Sequence, residues 1–587
     1  MQSDMKPKYS LFFWPMTITL SAAWLLCGFL VYGSTGHDDS HIHFWNVHTL
    51  LQFGTLENYN GDRIQQSSSL LQDLLTAALC LFSPLHPVTN GYWVDIVASF
   101  ACGLWGARLG RTLAPSLASW VPILMFSSSS FLLWSFGGMG APLTAFCLLV
   151  GMTCWWRWLT APVIKPSHIA ALIASTLALV LVRPEMPLVI AAIAAGLLTL
   201  HIRHAVLRAR CCWILALTLG AAALLFFWQH TYFGSWLSMP TIAKQGGDLW
   251  PQLQRGTRYL HYYGQFSPVI PAALLCSLLL GWSALRRAFV NNSCNSDSAA
   301  VNNALLTSIL LCAAWAYGGF IWTAGGDWMQ AGRFLVPIIP LAALLLIATL
   351  SRIPHTWVAH ILLAALTCSQ LVIHYPVVAS VSHGIPVWVQ TRIQPEHRER
   401  YSIFEQFHQE HVRDMAVIDH LARIIPPLHH ALQRPVRMMS GQAGMVFYYT
   451  AKAFPGSVQF RDLRGLVESS LTLCPLLRDI PRSPQGLFWG YRDFFQYLPA
   501  LQQECGIEAP DIIYDLNDMT QKMGKTLEPL GYTLIHKETG FIVTNPTRLP
   551  YNRLLSPNMI FVRSDLLAAG AELEVINYNT LPLYPRY

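Results

Sequence analysis

Between Ser10 and Tyr32 the chain is almost wholly apolar, and similar blocks recur at about 91–109, 117–135, 139–158, 168–182, 186–202, 212–229, 268–285, 304–323, 334–351 and 356–375. About 20 apolar residues at 1.5 Å rise each cover the hydrocarbon core of a bilayer, so the pattern predicts roughly eleven membrane-spanning helices. Leu70 to Phe82 is apolar but short, bounded by Ser67-Ser68-Ser69 and Pro84. It predicts a helix lying along or dipping into the membrane interface. Arg183-Pro184-Glu185 interrupts the apolar run 167–202. That break reads as a tight turn between two short spans, with one kinked helix as the alternative.

The pattern changes after about residue 376. Residues 388–430 are rich in His, Arg, Glu and Gln, and 435–587 alternate short apolar runs with turns. Pro435–Met439 and Gly456–Phe460 read as strands and Tyr448–Ala453 as helical. The division expected is a polytopic α-helical membrane bundle over 1–375, with a long first loop at 33–90, and an α/β domain over 376–587. Cys474 and Cys505 fall in that domain and form either a disulfide or two buried thiols. The other eleven of the thirteen cysteines lie mostly in apolar spans, where the residue packs as a small hydrophobe.

Charge fixes the expected orientation. Lys6 and Lys8 precede the first block, which lacks a small-residue cleavage site and reads as a retained anchor with a cytoplasmic N-terminus. Alternate threading then places Arg108, Arg111, Arg157, Lys165, Arg203, Arg208, Arg210, Arg286, Arg287 and Arg352 inside. The short outer loops carry Arg63, Arg183 and Arg333. An odd number of spans sends the C-terminal domain outside. The composition, 53% hydrophobic and 12% charged, agrees with a membrane protein, since soluble domains carry about 25% charged residues. The net charge of +7 does not argue for nucleic acid, because the basic residues are scattered between apolar runs.

Polar chemistry collects in the loops read as outer. Gly36-His37-Asp38-Asp39-Ser40-His41-Ile42-His43 follows the first span directly. Paired carboxylates at a membrane boundary are costly unless solvated or partnered, which marks a functional site; capping of a following helix is the plainer alternative. Asn46, Gly54, Asn58, Gly61-Asp62 and Ser67-Ser68-Ser69-Leu70 follow, then Gly137–Leu143, Arg183-Pro184-Glu185, Tyr232-Phe233-Gly234, Pro240-Thr241 and Lys244. Gly325-Gly326-Asp327-Trp328-Met329, Gly332-Arg333, Gly441-Gln442-Ala443-Gly444 and Asp462–Leu466 complete the set. This ordered series resembles the membrane-embedded GT-C glycosyltransferases, most of all the branch with the actinobacterial terminal arabinofuranosyltransferases. The chain departs from that pattern at Ser40-His41 and at Met139-Gly140, where Glu-Thr is usual.

The resemblance implies an enzyme of the bacterial inner membrane. It would pass a sugar, a pentose such as arabinofuranose, from a polyprenyl-phosphate donor to a glycan, lipid or protein acceptor outside the membrane. Asp38 or Asp39 would be the base that takes the acceptor proton. Lys244, Arg333 and Arg183 would hold the donor phosphate, to which guanidinium forks are well matched. Asp327, Trp328 and Glu185 would meet sugar or acceptor; His41, an imidazole the family pattern does not require, is a candidate for the same role from its place in this chain. Bland roles stand beside these: Glu185 pairing only with Arg183, Arg333 as an interface anchor, Trp328 in the interfacial belt. No metal is assigned to the His-rich stretch, and no cofactor is required. A transporter or flippase is the competing class, but no internal repeat is evident.

Overall fold

The computed structural model describes residues 10–382 and 401–568, apart from 33–37, 203, 245–248, 265–266, 291–297, 328, 479, 481–486, 489, 517–525 and 538–557. Two compact units divide the chain. One comprises Met1–His37, Ser68–Trp236 and Gly247–Phe404; the other comprises Asp38–Ser67, Leu237–Gly246 and Glu405–Tyr587. The segment 38–67, expected to belong with the helices, thus clusters with the C-terminal part of the chain.

The first unit is helical. Its apolar blocks form helices that include Ser10–Tyr32, Pro87–Leu113, Ala141–Thr160, Pro166–Val182, Met186–Leu200, Ala205–Phe233, Ser298–Ala324 and Ile338–Leu350. Among the described residues three helices are long and apolar enough to cross a membrane alone, through Phe12–Phe29, Ala205–Phe233 and Asn302–Ala324. Ala205–Phe233 leaves Trp213, Leu219, Leu224 and Phe227 exposed. Such a face is costly in water and at no disadvantage in hydrocarbon. Inside the bundle, Phe126, Phe131, Trp134, Trp155 and Tyr317 are fully buried.

Three local features follow from side-chain chemistry. The block 117–135, expected as one span, is instead two short helices, Trp120–Phe126 and Ser129–Trp134. The break falls at Ser127-Ser128, where hydroxyls compete for backbone groups. Gln370 seals it, donating to the Leu124 carbonyl at 3.2 Å and to Ser127 Oγ at 2.7 Å. At the second feature, Pro166–Val182 ends at Arg183 and Met186–Leu200 begins at once. Arg183 is extended, as a residue before proline prefers, so the turn reading holds over the kinked helix. Finally, Leu70–Phe82 is one helix capped by Ser69, whose hydroxyl accepts the Gln72 N–H at 3.3 Å.

The second unit holds a five-stranded sheet: β1 (Val436–Ser440), β2 (Val458–Asp462), β3 (Ile512–Leu516), β4 (Tyr532–Lys537) and β5 (Asn558–Arg563), in the order β2-β1-β3-β5-β4. β1 runs parallel to β2 and β3, while β5 is antiparallel to β3 and β4. The two strands read from sequence are β1 and β2, and the helix expected at 448–453 starts earlier, at Met445. Helix Tyr491–Cys505 packs into the core beside the sheet and ends in the Cys474–Cys505 disulfide. Asn60 closes the outer edge of β2 as a short strand would. Its amide donates to the Phe460 carbonyl at 2.8 Å and accepts the Phe460 N–H at 2.7 Å.

Candidate active site

The polar residues fall in two sets, one in each unit. In the helical unit the turn at Gly325-Gly326 ends helix Ser298–Ala324 with positive φ at both glycines. At Gly326 a Cβ would collide with the Tyr259 ring, so glycine is required twice over. The turn brings Asp327 to Arg333, 2.8 Å away, with both side chains almost wholly buried. The Arg333 guanidinium lies 5.3 Å from the Phe334 ring centre and 5.9 Å from Trp134. Arg183 approaches the same Phe334 ring at 5.8 Å, donates to Ser68 Oγ at 3.1 Å, and stands 3.9 Å from Glu185.

Both guanidiniums therefore share one aromatic ring, a cation–π arrangement that favours desolvated arginine. Four charges, Arg183, Arg333, Glu185 and Asp327, act on the Tyr317 hydroxyl. Among the described residues that hydroxyl, the Nε atoms of Arg183 and Arg333, and Glu185 Oε1 are buried without a hydrogen-bond partner. Buried polar atoms are nearly always satisfied, so a group of unfilled donors and acceptors between apolar helices marks a place for a polar ligand. Tyr259 supports the turn from behind, its hydroxyl accepting the Phe334 N–H at 3.2 Å. Burial pushes its phenol pKa well above the ordinary value, which keeps it neutral.

Asp95 has no counterpart among the sequence-derived candidates. It is fully buried and accepts the Gly140 N–H at 3.1 Å, which ties the glycine-rich turn Gly137–Gly140 to helix Pro87–Leu113. An acidic residue inside the apolar block 91–109 is the signal that marks it.

The second unit holds Asp38, Asp39, His41 and Lys244. Asp38 is half-buried and its Oδ1 accepts the Met445 N–H at 2.6 Å. Asp39 precedes helix Ser40–Phe53 as its cap residue, without a side-chain capping bond. The Asp39 side chain does not cap the helix that follows, and Asp38 instead takes the first N–H of a helix far along the chain. His41 is fully buried and packs edge-on against Phe44 and Tyr448. Lys244 ends helix Met239–Lys244 and is exposed. That segment is tied to the first loop by the Met239 N–H donating to the Gln65 carbonyl at 2.9 Å.

Around Asp38, Tyr59 is buried and donates to the Gly444 carbonyl at 3.3 Å. Burial first, then the Asp38 charge, pushes its phenol well above the usual range. Asn58 donates to the Val467 carbonyl at 3.1 Å and to Asp62 at 3.2 Å. Asn58 thereby ties the Asn58–Asp62 turn to the backbone just past the Asp462–Leu466 motif. Trp328 and His37 lie outside the described residues. Among the described residues no group of three His, Cys, Asp or Glu is placed to hold a metal ion.

No protein-family model matches the chain, and no curated protein does. Solved structures do. The crystal structure of ArnT from Cupriavidus metallidurans in the apo state is 12% identical, with a TM-score of 0.51 over 95% of this chain and 99% of that one. The structure of the same protein bound to undecaprenyl phosphate is also 12% identical, with a TM-score of 0.48 over 94% and 98%. At this identity the likeness speaks for the fold alone, which is similar to that of ArnT.

Proposed function

We propose that the chain is an integral membrane glycosyltransferase that moves a sugar from a polyprenyl-phosphate donor to an acceptor hydroxyl outside the cytoplasm. The observation that carries this reading is the buried Arg183–Arg333 pair on Phe334, with its unfilled Nε atoms, in the helical unit of a chain similar in fold to ArnT. A phosphodiester donor bears one negative charge, and the departing polyprenyl phosphate gains a second. Guanidiniums held in an apolar surround answer that increase far better than solvated ones.

In the reaction Asp38 takes the acceptor proton while the acceptor oxygen bonds to the anomeric carbon. The bond from that carbon to the phosphate oxygen breaks, and the lipid phosphate leaves with the electron pair. Arg183 and Arg333 receive it, with exposed Lys244 as a further cation for the donor. Glu185 and Asp327 hold the two arginines until substrate arrives. Arabinofuranose is the first sugar to try, on the motif series of the loops. The Cys474–Cys505 disulfide supports an outer, oxidising location for the second unit.

The test is transfer from a panel of radiolabelled polyprenyl-phosphate sugars, arabinofuranose included, in membranes carrying wild type or Asp38→Asn. One donor consumed by wild type and spared by the variant is the expected result. Inserted protein that consumes no donor but moves lipid or solute would replace the enzyme with a transporter.

A further inference from the structure

We propose that the N-terminus of helix Met445–Ala453, together with Gly444, is a positioning device for Asp38; the inference rests on the reading of Asp38 as the base. Met445 is the first residue of that helix, so its N–H is one of those left unpaired by helical geometry. It is spent on Asp38 Oδ1 at 2.6 Å, where the positive end of the helix dipole also favours the carboxylate. The two residues are 407 positions apart, so no local preference of the chain explains the contact.

Gly444 makes the approach possible. A Cβ at this position would run into the Asp38 backbone carbonyl and come within 2.7 Å of its carboxyl carbon. Alanine is therefore excluded by the closeness of Asp38, although the Gly444 φ of −95° is open to any residue. Its carbonyl is pinned in turn by the Tyr59 hydroxyl at 3.3 Å and by the Tyr448 N–H at 2.9 Å. Gly441-Gln442-Ala443-Gly444 acquires a physical reason by this route: it delivers a helix start to a carboxylate that a longer side chain would displace.

A base works only if its oxygen meets the acceptor proton in a narrow geometry, and a misplacement of about 1 Å costs on the order of a hundredfold. The Met445 N–H holds Asp38 from the C-terminal part of the chain, and Gly444, itself anchored by Tyr59, leaves the room for that approach. Gly444 and Met445 are thus positioning residues: they act on transfer through Asp38.

The experiment uses the full chain in membranes and the polyprenyl-phosphate sugar that wild type consumes. Met445→Pro deletes the N–H at a position where proline is compatible with a helix, and Met445→Ala removes the side chain but keeps the N–H. Met445→Pro should lie about ten- to a hundredfold below Met445→Ala in kcat, with the donor KM within about twofold, at equal inserted amounts. Gly444→Ala, which keeps every N–H, should show the same split, and it decides the matter if the proline variant fails to accumulate. Normal kcat in these variants alongside a dead Asp38→Asn would overturn the positioning device and leave the base in place. An active Asp38→Asn, or no donor consumed by wild type, would remove the base reading and this inference with it.

Discussion

In the helical unit the buried cations are held by opposite charge: Arg333 faces Asp327 at 2.8 Å, and Arg183 faces Glu185 at 3.9 Å. In the second unit two buried or half-buried carboxylates are held by backbone. Asp38 takes the Met445 N–H, and Asp462 takes those of Arg464, Leu466 and Val467 at 2.8, 2.5 and 3.1 Å. Ion pairs occur there too, Arg434–Asp511 and Arg461–Glu468 among them, but Asp38 and Asp462 rely on N–H groups. The difference bears on use. A charge held by another side chain can exchange that partner for a ligand of the same sign, whereas one held by a helix or turn is fixed in direction. The first arrangement suits binding of a phosphate, the second suits a base that must point one way.

The largest effect expected from this contrast is at Asp38. Asp38→Asn keeps a side-chain oxygen for the Met445 N–H but removes the basic group, so transfer should fall by about 10²- to 10⁴-fold while membrane insertion is retained. Radiolabel transfer normalised to inserted protein measures it, and full activity would separate Asp38 from the chemistry.

Arg333→Ala tests the exchangeable side. It strands Asp327 as a buried charge, which typically costs about 3–5 kcal/mol, and it should also raise the donor KM. Adding Asp327→Ala should restore much of the stability without restoring donor use. Thermal unfolding in detergent and donor titration read the two effects separately. A donor KM unchanged in the single variant would confine Arg333 to a structural role.

Next comes the second unit's covalent tie. Cys474 and Cys505 are 31 positions apart, and closing a loop of that size is worth about 3–4 kcal/mol in the chain-entropy account. Cys474→Ser should loosen helix Tyr491–Cys505 and the sheet it packs on, seen as faster hydrogen exchange there, with the helical unit unaffected. Equal exchange in both forms would show that the sheet core alone holds the unit.

How far the sequence reached is clearest at particular residues. Arg183-Pro184-Glu185 was legible as a turn because proline constrains the residue before it, and β1 and β2 were legible as short apolar runs between turns. The block 117–135 reads as one span because hydropathy tolerates Ser127 to Ser130, whereas the Ser127-Ser128 hydroxyls and Gln370 divide the helix. Arg333 and Asp327 were each singled out, but their pairing depends on the positive-φ turn at Gly325-Gly326. His41 looked available by its place beside the paired aspartates, yet aromatic neighbours from 448 onward bury it. Asp38 with Met445, and Asn60 with Phe460, join residues about four hundred positions apart, and no local pattern encodes such contacts.

The smallest and most specific test concerns the carboxylate held by a turn. Burial pushes the Asp462 pKa from 3.8 up to about 6, even though three backbone N–H groups favour its charged form. With the folded value above the unfolded one, the folded state binds more protons between about pH 4 and pH 6. Stability from this group is fully present below about pH 4 and declines as pH rises to about 6, a loss of roughly 3 kcal/mol at 1.36 kcal/mol per unit. Asp462→Asn removes the titration, so its stability relative to wild type should improve across that interval and stay level above it. Hydrogen exchange of the sheet in the full chain, followed from pH 4 to 7 and corrected for intrinsic exchange, measures the difference. A constant offset between the two forms would mean that the N–H groups offset burial and that this turn keeps its carboxylate charged throughout.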